Sequence, residues 1–357
     1  MKNTFGNAVT VTVFGESHSA AIGAVLDGIE AGISVDTEFI GKMLSARRPA
    51  GTISTARKEQ DEFQIVSGVF GGKTTGTPIC IIIPNSDIKS KDYDAFRGKA
   101  RPSHADYTAF VKYGGAEDYR GGGHFSGRIT AALVAAGALI MPELSKRGIE
   151  IGTHISKIGS VCDGNFSDYT ADFKKLKFSN FAVLSETKRE EMLKCIEEAR
   201  QNNDSVGGEL ETVVTGLPVG LGEPMFDSVE SRIAHILFSV PAVKGIEFGA
   251  GFGFADMLGS EANDEFRLID GKVVTTTNNN GGINGGITNG MPVVFKTAIK
   301  PTPSIGKPQK TVDFINNENA DITVGGRHDP CIVHRARPVV DAVTAIAIYD
   351  LLIESGI

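Results

Sequence analysis

The chain alternates between short runs of β-branched and apolar residues and longer segments with apolar residues every three or four positions. The first pattern is typical of strands and the second of helices. Strands are predicted at AVTVTVFG, EFQIVSGVF, PICIIIP, LETVVTGL and MPVVFKTAI. Helices are predicted at DTEFIGKMLSARR, SHADYTAFVKY, GRITAALVAAGALIMPELSKRG, SETKREEMLKCIEEARQNND, DSVESRIAHILFS and PVVDAVTAIAIYDLLIES. Because the two kinds alternate without regular βαβ spacing, the pattern predicts a mixed α/β or α+β domain rather than a Rossmann array.

Two of the predicted helices begin with residues that are typical of helix N-termini. Ser103 is followed three residues later by Asp106, an arrangement that predicts a capped start for the second helix. Pro338 is predicted in the first turn of the last helix, where its missing N–H costs nothing.

One pattern, V-[LV]-x-G-[IL]-x-x-G-[IL], occurs twice. Gly28 and Gly32 in the first copy match Gly216 and Gly220 in the second. Each copy precedes a predicted helix with an aspartate near its start, Asp36 or Asp227. The repeat indicates either two related halves about a pseudo-two-fold axis or two unrelated glycine-rich turns. The sequence favours neither interpretation.

Composition narrows the class of protein. Of 357 residues, 41% are hydrophobic and 22% are charged, which is sufficient for a folded core and argues against disorder. The net charge of −7 disfavours nucleic acid and anionic membranes as partners, although a locally basic pocket for an anionic ligand is compatible with it.

Cysteine spacing and the chain start bear on the compartment. No two cysteines form a CxxC motif, so free thiols in a reducing compartment are expected at Cys80, Cys162, Cys195 and Cys331. The start has no apolar run typical of a signal peptide, and ITAALVAAGALIM is too short to span a bilayer. A soluble, cytoplasmic protein is therefore expected.

Familiar cofactor motifs are imperfect here. SGVFGGKTTGTP resembles a P-loop, but Ser67 replaces the first glycine and a strand pattern follows where a helix is needed. GAGFGFA has Phe254 at the third glycine position of a dinucleotide fingerprint. No zinc-ligand spacing is present, so no metal is predicted.

Histidine, arginine, serine and aspartate concentrate beside turns. They occur in FGESHS, RRPAG, RPSHADY, YRGGGHFSGR and GGRHDPC. Several guanidinium groups suit an anion with more than one charged group, and neighbouring histidines transfer protons near neutral pH. Glycines let backbone N–H groups approach an anion at a helix start. The residues alone indicate a small polyanionic substrate that undergoes a proton-coupled step; a phosphorylated substrate is one candidate.

The ordered motifs resemble those of the chorismate synthases. They are FGESH, RRP, SGVFGGKTTGTPI, RPSHADYT, YRGGG, VPAVKGIEFGAGF, NGGINGGITNG, KPTPS and GRHDPC, from about residue 5 to about residue 350. The resemblance implies a β-α-β sandwich and an anti-1,4-elimination that converts 5-enolpyruvylshikimate 3-phosphate to chorismate, the last common step of the shikimate pathway. It also implies a need for reduced FMN without net redox change, and a homotetramer.

The resemblance assigns roles to individual residues. His18 corresponds to the histidine that protonates the departing phosphate, and His104 to the one that balances the reduced flavin. Asp329, with Ser17 and Ser126, corresponds to the relay that accepts the substrate proton by way of the flavin. The anion ligands are expected at Arg47, Arg48, Arg101, Arg128 and Arg327. FMN contacts are expected at His124, Phe125, Ser126, Pro241, Ala242, Gly285, Lys300, Pro301, Thr302, Pro303, Ser304 and Arg327.

The sequence departs from the family pattern at three places. His124 and Phe125 replace an arginine and a serine, Ser103 replaces a glycine, and Thr52 stands near a missing arginine. These changes affect the FMN contact at 124 and 125 and a nicotinamide (NADP) contact expected around Arg47 and Thr52.

Two other functions compete with the lyase. One is an FMN oxidoreductase with net hydride transfer from a nicotinamide, which the imperfect fingerprint disfavours. The other is a non-catalytic paralogue that binds flavin or polyanions. The sequence does not say whether the chain reduces its own flavin or depends on a separate flavin reductase.

Overall fold

The computed structural model describes residues 2–49, 60–86, 97–325 and 329–356. Its strands are β1 Thr4–Phe5, β2 Thr10–Gly15, β3 Ala21–Asp27, β4 Gln64–Ser67, β5 Val69–Phe70, β6 Lys73–Thr74, β7 Ile79–Pro84, β8 Glu150–Ile158, β9 Val161–Cys162, β10 Gly208–Thr215, β11 Val243–Phe248, β12 Phe266–Ile269, β13 Lys272–Thr275, β14 Ile283–Asn284, β15 Ile287–Thr288, β16 Val293–Ile299, β17 Gln309–Asp313 and β18 Glu318–Ile322.

Most of the helical segments predicted from the sequence are helices in the described residues. The helices are α1 Thr37–Arg47, α2 Asp106–Tyr113, α3 Thr130–Lys146, α4 Tyr169–Leu176, α5 Glu186–Gln201, α6 Val229–Leu237, α7 Gly259–Ala262 and α8 Val333–Ser355. Short 3-10 segments cover Arg120–Phe125, Gly127–Ile129 and Gly251–Asp256.

Two five-stranded antiparallel sheets form the outer layers. Their strand orders are β1-β2-β3-β7-β4 and β9-β8-β10-β16-β11. In β7, Ile79, Ile81 and Ile83 are fully buried, whereas Cys80 and Ile82 are half-buried. Successive side chains of a strand point to opposite faces, so the continuous apolar run ICIII supplies one core face and one outer face.

A helical layer lies between the sheets. Helix α3 contacts β3 and β7 of the first sheet, and α8 contacts β8 and β10 of the second. Both helices are buried on nearly every side; α3 is apolar almost throughout, whereas α8 also buries the charged Arg337, Asp341 and Asp350. The two helices pack closely because Gly137 has no side chain: a Cβ there would lie 2.3 Å from the Ala342 carbonyl oxygen. The result is a β-α-β sandwich, which confirms the predicted fold class.

The two halves repeat the same arrangement. Strands β2, β3, β7 and β4 occupy the same places in the first sheet as β8, β10, β16 and β11 do in the second. Gly28 and Gly32 have φ values of 81° and 91°, and the matched Gly216 and Gly220 have 79° and 103°. The repeated pattern in the sequence therefore marks two related halves and not two unrelated turns.

One threonine in each half makes the same pair of hydrogen bonds. Thr74 Oγ1 donates to Glu30 O at 2.6 Å and accepts from Ile33 N at 2.9 Å. In the other half, the Thr288 hydroxyl makes the same two bonds, at the same distances, to Pro218 O and Leu221 N. Thr74 ends the β5–β6 hairpin, so the P-loop-like segment is a structural turn, as its strand pattern indicated.

The structure corrects several expectations about helices and strands. Helix α8 begins at Val333, so Pro338 lies inside the helix and not in its first turn. Strands β3, β8, β11, β12, β13, β17 and β18 and helices α4 and α7 were missed, as were the two-residue strands β1, β6, β9, β14 and β15. The segment Gly127–Lys146 is long and apolar enough by composition to cross a membrane, contrary to the expectation from its shorter apolar run, but most of it is buried in the core.

Candidate functional site

The glycine loop, residues 119–128, brings the predicted histidines to one place. Its first part is the 3-10 segment Arg120–Phe125. Gly121 packs on the segment that follows β2: a Cβ there would lie 2.2 Å from His18 Cε1 and 2.9 Å from Ser17 Oγ. With a φ of 61°, Gly121 also has a backbone conformation that disfavours a side chain. Any other residue would push His18 from its position.

The next glycine faces the second histidine. A Cβ on Gly122 would lie 3.4 Å from His104 Nε2 and 3.8 Å from Ser126 Cβ. Gly121 therefore lies against His18 and Ser17, and Gly122 lies near His104 and Ser126. The structure brings together four of the five predicted catalytic residues around two backbone units.

His104 is held by an ion-paired aspartate. Its Nδ1 lies 2.7 Å from Asp106 Oδ1, and the Arg101 guanidinium makes two bonds to the same carboxylate, each of 2.8 Å. Burial alone would raise the pKa of Asp106, but hydrogen bonds from Arg101 and His104 outweigh it and lower the pKa far below its usual range. The same Nδ1 lies 3.1 Å from Arg101 Nη2, and Nε2 is the ring nitrogen on the Gly122 side. Asp106 is thus a partner of His104 and not a helix cap, because α2 has no side-chain cap.

Two predicted anion ligands share a buried aspartate. Arg128 Nη1 bonds Asp61 Oδ1, and Arg47 Nη1 lies 3.8 Å from Asp61 Oδ2. Arg47 also donates to the carbonyls of Gly127 at 3.4 Å and Arg128 at 3.2 Å, which joins α1 to the end of the glycine loop. All three side chains are almost fully buried. One buried carboxylate therefore pairs with two guanidinium groups at this position.

Two further polar groups suit an incoming ligand. Ser17 Oγ and Arg48 Nε are buried and have no hydrogen-bond partner among the described residues. Buried polar groups are normally paired, so an orphan at a site is a place where a ligand completes the bonding. Both residues were predicted to belong to the site.

The predicted FMN segments meet along paired strands. Pro241 and Ala242 lead into β11, Lys300–Ser304 follows β16, and these two strands pair. The Ala242 carbonyl accepts the Lys300 backbone N–H at 2.9 Å. Burial lowers the pKa of Lys300, and the nearby charge of Lys244 lowers it further. Two ammonium groups close together favour an anion between them.

These segments reach the His104 loop. The ammonium of Lys300 donates to Ser103 O, and Arg101 Nη1 lies 3.4 Å from Ser304 Oγ. Ser103 has a φ of 61°, in the left-handed region that favours glycine. The glycine expected there from the family pattern suits this turn better than serine.

Replacement of Ser103 by glycine is therefore expected to stabilise the fold by up to about 1 kcal/mol, because relief of a left-handed conformation of ~1–2 kcal/mol outweighs the extra chain entropy of glycine. Equilibrium urea unfolding measures the change. Ser103→Ala is the matched control, because it removes the hydroxyl and keeps the strain. An equal gain in both variants would contradict the argument.

The fifth catalytic candidate, Asp329, is bonded to the Lys300–Ser304 segment through its backbone. Thr302 Oγ1 donates to the Asp329 carbonyl at 2.6 Å. The Asp329 carboxylate forms an ion pair of 2.6 Å with Arg335 Nη1, and Arg335 Nε donates to Arg47 O at 3.2 Å. Arg335 thus links Asp329 to the first turn of α8 and the end of α1.

The two unusual loop residues make local contacts. His124 Nδ1 lies 2.8 Å from the Gly15 carbonyl, so this nitrogen carries a proton and ties the glycine loop to the end of β2. Phe125 is 37% exposed and packs edge-on against Tyr113, with ring centroids 6.2 Å apart. The predicted FMN contact of either residue stays a prediction.

Other predicted residues lie apart or outside the described chain. Gly285 is in the β14–β15 turn, whose neighbour Gly286 packs against Glu223 and Ser228. Arg327 and Thr52 lie outside the described residues. Arg47 is 4% exposed, so a nicotinamide reaches it only if the surrounding structure opens.

The sequence interpretation missed Asp61, Asn85, Lys244 and Arg335. Asn85 bonds both Arg128 and the loop before β3. Its position directly after the apolar run PICIIIP was an available signal, because polar residues at strand ends often serve a site. Asp61 and Arg335 had no comparable local signal.

The fold and the gathered loops define a class of protein: an α+β enzyme of two related halves, with histidines and guanidinium groups around one glycine loop. The family model for chorismate synthase matches residues 9–353. The chain therefore belongs to the chorismate synthase family, and the lyase class expected from its motifs is confirmed.

Individual relatives agree along nearly the whole chain. The chorismate synthase of Thermococcus kodakarensis is 45% identical over 348 residues, covering 98% of this chain and 97% of that protein. The chorismate synthase of Dehalococcoides mccartyi is 43% identical over 358 residues, covering 100% of this chain and 98% of that protein. A crystal structure of chorismate synthase superposes with a TM-score of 0.77 at 30% identity, covering 98% of this chain and 93% of that one.

Proposed function

We propose that this chain converts 5-enolpyruvylshikimate 3-phosphate to chorismate by anti-1,4-elimination of phosphate, with reduced FMN and without net redox change. The observation that carries the proposal is the placement of Ser17, His18, His104 and Ser126 around two glycines of a loop that Arg47 holds. Proton donors and guanidinium groups at one place suit the departure of a phosphate from a substrate that carries two carboxylates.

The residues present fit a flavin mononucleotide. Lys244 and Lys300 supply neighbouring positive charge for its phosphate, and the unpartnered Ser17 Oγ offers a polar contact inside the site. Lys300, Thr302 and Ser304 are expected to hold the cofactor beside the His104 loop. When bound, reduced FMN supplies electron density that helps the phosphate leave.

The chain's own groups handle the protons. His18 donates a proton to the leaving phosphate. His104, oriented by Asp106, maintains the charge balance beside the cofactor through the nitrogen on the Gly122 side. Asp329, held by Arg335, accepts the proton lost from the substrate ring, with Ser17 and Ser126 in the relay.

Further properties belong to the same proposal. We infer one domain over residues 1–357, because the two sheets share one helical layer. A homotetramer is supported by exposed aromatic side chains at Phe70, Phe226 and Phe252, which are 84%, 87% and 85% exposed. A cytoplasmic location is supported by the four cysteines, none of which is in a disulfide.

One experiment tests the reaction against its alternatives. The protein is mixed anaerobically with chemically reduced FMN and 5-enolpyruvylshikimate 3-phosphate, and chorismate, phosphate and flavin absorbance are followed. Many turnovers per flavin with equal release of chorismate and phosphate are expected. Stoichiometric flavin oxidation would instead identify an oxidoreductase, and flavin binding without product would identify a non-catalytic binder. A parallel assay with oxidised FMN and NADPH tests for intrinsic flavin reduction.

A further inference from the structure

Asn85 joins the buried arginine cluster to the segment that carries Ser17 and His18. We propose that Asn85 is a positioning residue, which fixes residues 16–19 so that His18 faces the glycine loop. The proposal rests on the proposed role of His18, and the experiment below separates the two.

The Asn85 side-chain amide bridges the segment around His18 and the Arg128 guanidinium with three hydrogen bonds. Its Nδ2 donates to Glu16 O at 3.0 Å and to Ser19 O at 2.8 Å. Its Oδ1 accepts from Arg128 Nε at 3.0 Å. Carbonyl oxygens only accept and a guanidinium only donates, so the orientation of the amide is determined by its partners.

Further hydrogen bonds fix the Arg128 guanidinium to which Asn85 is bonded. Arg128 Nη2 donates to the Pro84 carbonyl at 3.3 Å, and Nη1 bonds Asp61. The buried Asp61 has a φ of 51°, a strained conformation for a residue with a side chain. A path of hydrogen bonds therefore runs from a buried carboxylate through Arg128 and Asn85 to the carbonyls on both sides of His18.

The opposite side of the segment has its own attachment. There, Ser17 N donates to the Gly123 carbonyl at 3.1 Å. On the Asn85 side, the backbone N–H of Asn85 adds a bond to Ala20 O at 3.1 Å. His18 is thus held between the glycine loop and Asn85, with Gly121 in contact with its ring. Catalytic groups need such support, because small displacements of a proton donor lower the rate strongly.

The Asn85→Asp variant tests the proposal directly. It keeps an oxygen toward Arg128 but removes both N–H groups that hold Glu16 O and Ser19 O. We expect kcat to fall by about 10- to 100-fold, as for a small displacement of a reacting group. KM is expected to rise in this variant, because the new carboxylate lies beside Arg128, an expected anion ligand. Asn85→Ser, which adds no charge, is expected to change KM by less than about threefold. Asn165→Asp, an exposed substitution in the other half, is the matched control with wild-type kcat.

A double-mutant cycle with His18→Ala shows whether Asn85 acts through His18. If it does, Asn85→Asp in the His18→Ala background lowers kcat no further. A merely structural contribution would make the two losses multiply. Thermal unfolding of each variant shows whether the fold is intact, and Asn85→Ser replaces Asn85→Asp in the cycle if the latter does not fold.

The outcomes separate the two proposals. Wild-type kcat in His18→Ala would overturn the role of His18 and, with it, the inference about Asn85. Slow turnover in His18→Ala with wild-type kcat in the folded Asn85 variant, or with multiplying losses, would overturn the inference about Asn85 alone.

Discussion

Replacement of His18 by alanine is expected to lower kcat by about 10²-fold or more, the loss typical of a missing general acid. The His18 ring is buried beside Gly121, and its charge contributes to the lowered pKa of Asp118, whose hydrogen bonds from Arg120 contribute more. His104, the other histidine with an assigned role, lies near Gly122 and not near Gly121. Steady-state chorismate formation with reduced FMN measures the effect.

A second histidine variant checks the specificity of this result. His235 is an exposed residue of α6 that packs against Phe5 outside the site, so His235→Ala is expected to keep wild-type turnover. Flavin binding is measured on both variants by fluorescence titration. Full turnover by a folded His18→Ala protein would assign the proton to another donor.

The main elements were predictable where one residue pattern dominated. The β-branched apolar run in PICIIIP indicated β7, and the long apolar segment at Thr130–Lys146 indicated α3. Helix α8 extends five residues before Pro338, because burial of its first turns outweighs the local preference of proline for a helix start. Strand β8 was missed because it has polar residues at buried positions, among them Thr153 and His154.

The repeated glycine pattern did not by itself establish that the chain has two related halves. Glycines at matching positions suggested two related halves, but only the strand orders and the Thr74 and Thr288 bonds distinguish duplication from coincidence. Such bonds join residues about 40 to 70 positions apart, and single-sequence patterns report only local spacing.

The types of residue at the site were predictable from the sequence, but the ion pairs between them were not. The glycine loop indicated an anion site at a helix start, and the resemblance indicated His18 and His104 as site residues. The partners of the arginines did not follow from their positions: Asp61 comes from a segment before β4, and Arg335 lies on α8. Ion pairs between distant segments depend on the fold, so they were accessible only from the structure.

The second large effect is expected at Asp329. Replacement by asparagine keeps the size of the side chain and its reach to Arg335 but removes the ability to accept a proton at neutral pH. We expect kcat to fall by about 10²-fold or more, as for loss of a general base. FMN affinity is expected to stay within about threefold, because the predicted phosphate contacts at Lys300 and Ser304 are unchanged. Turnover assays and flavin titration together measure both properties.

The Asp329 result discriminates between a proton acceptor and a structural ion pair. Asp321→Asn, which loses an exposed pair with Lys310, is the control and is expected to behave as wild type. If the Arg335 ion pair were the only contribution of Asp329, Arg335→Gln would reproduce the loss of kcat in full and Asp329→Asn would lower the melting temperature. A proton acceptor instead gives a larger loss in Asp329→Asn than in Arg335→Gln, because a displaced carboxylate still accepts a proton and an amide does not.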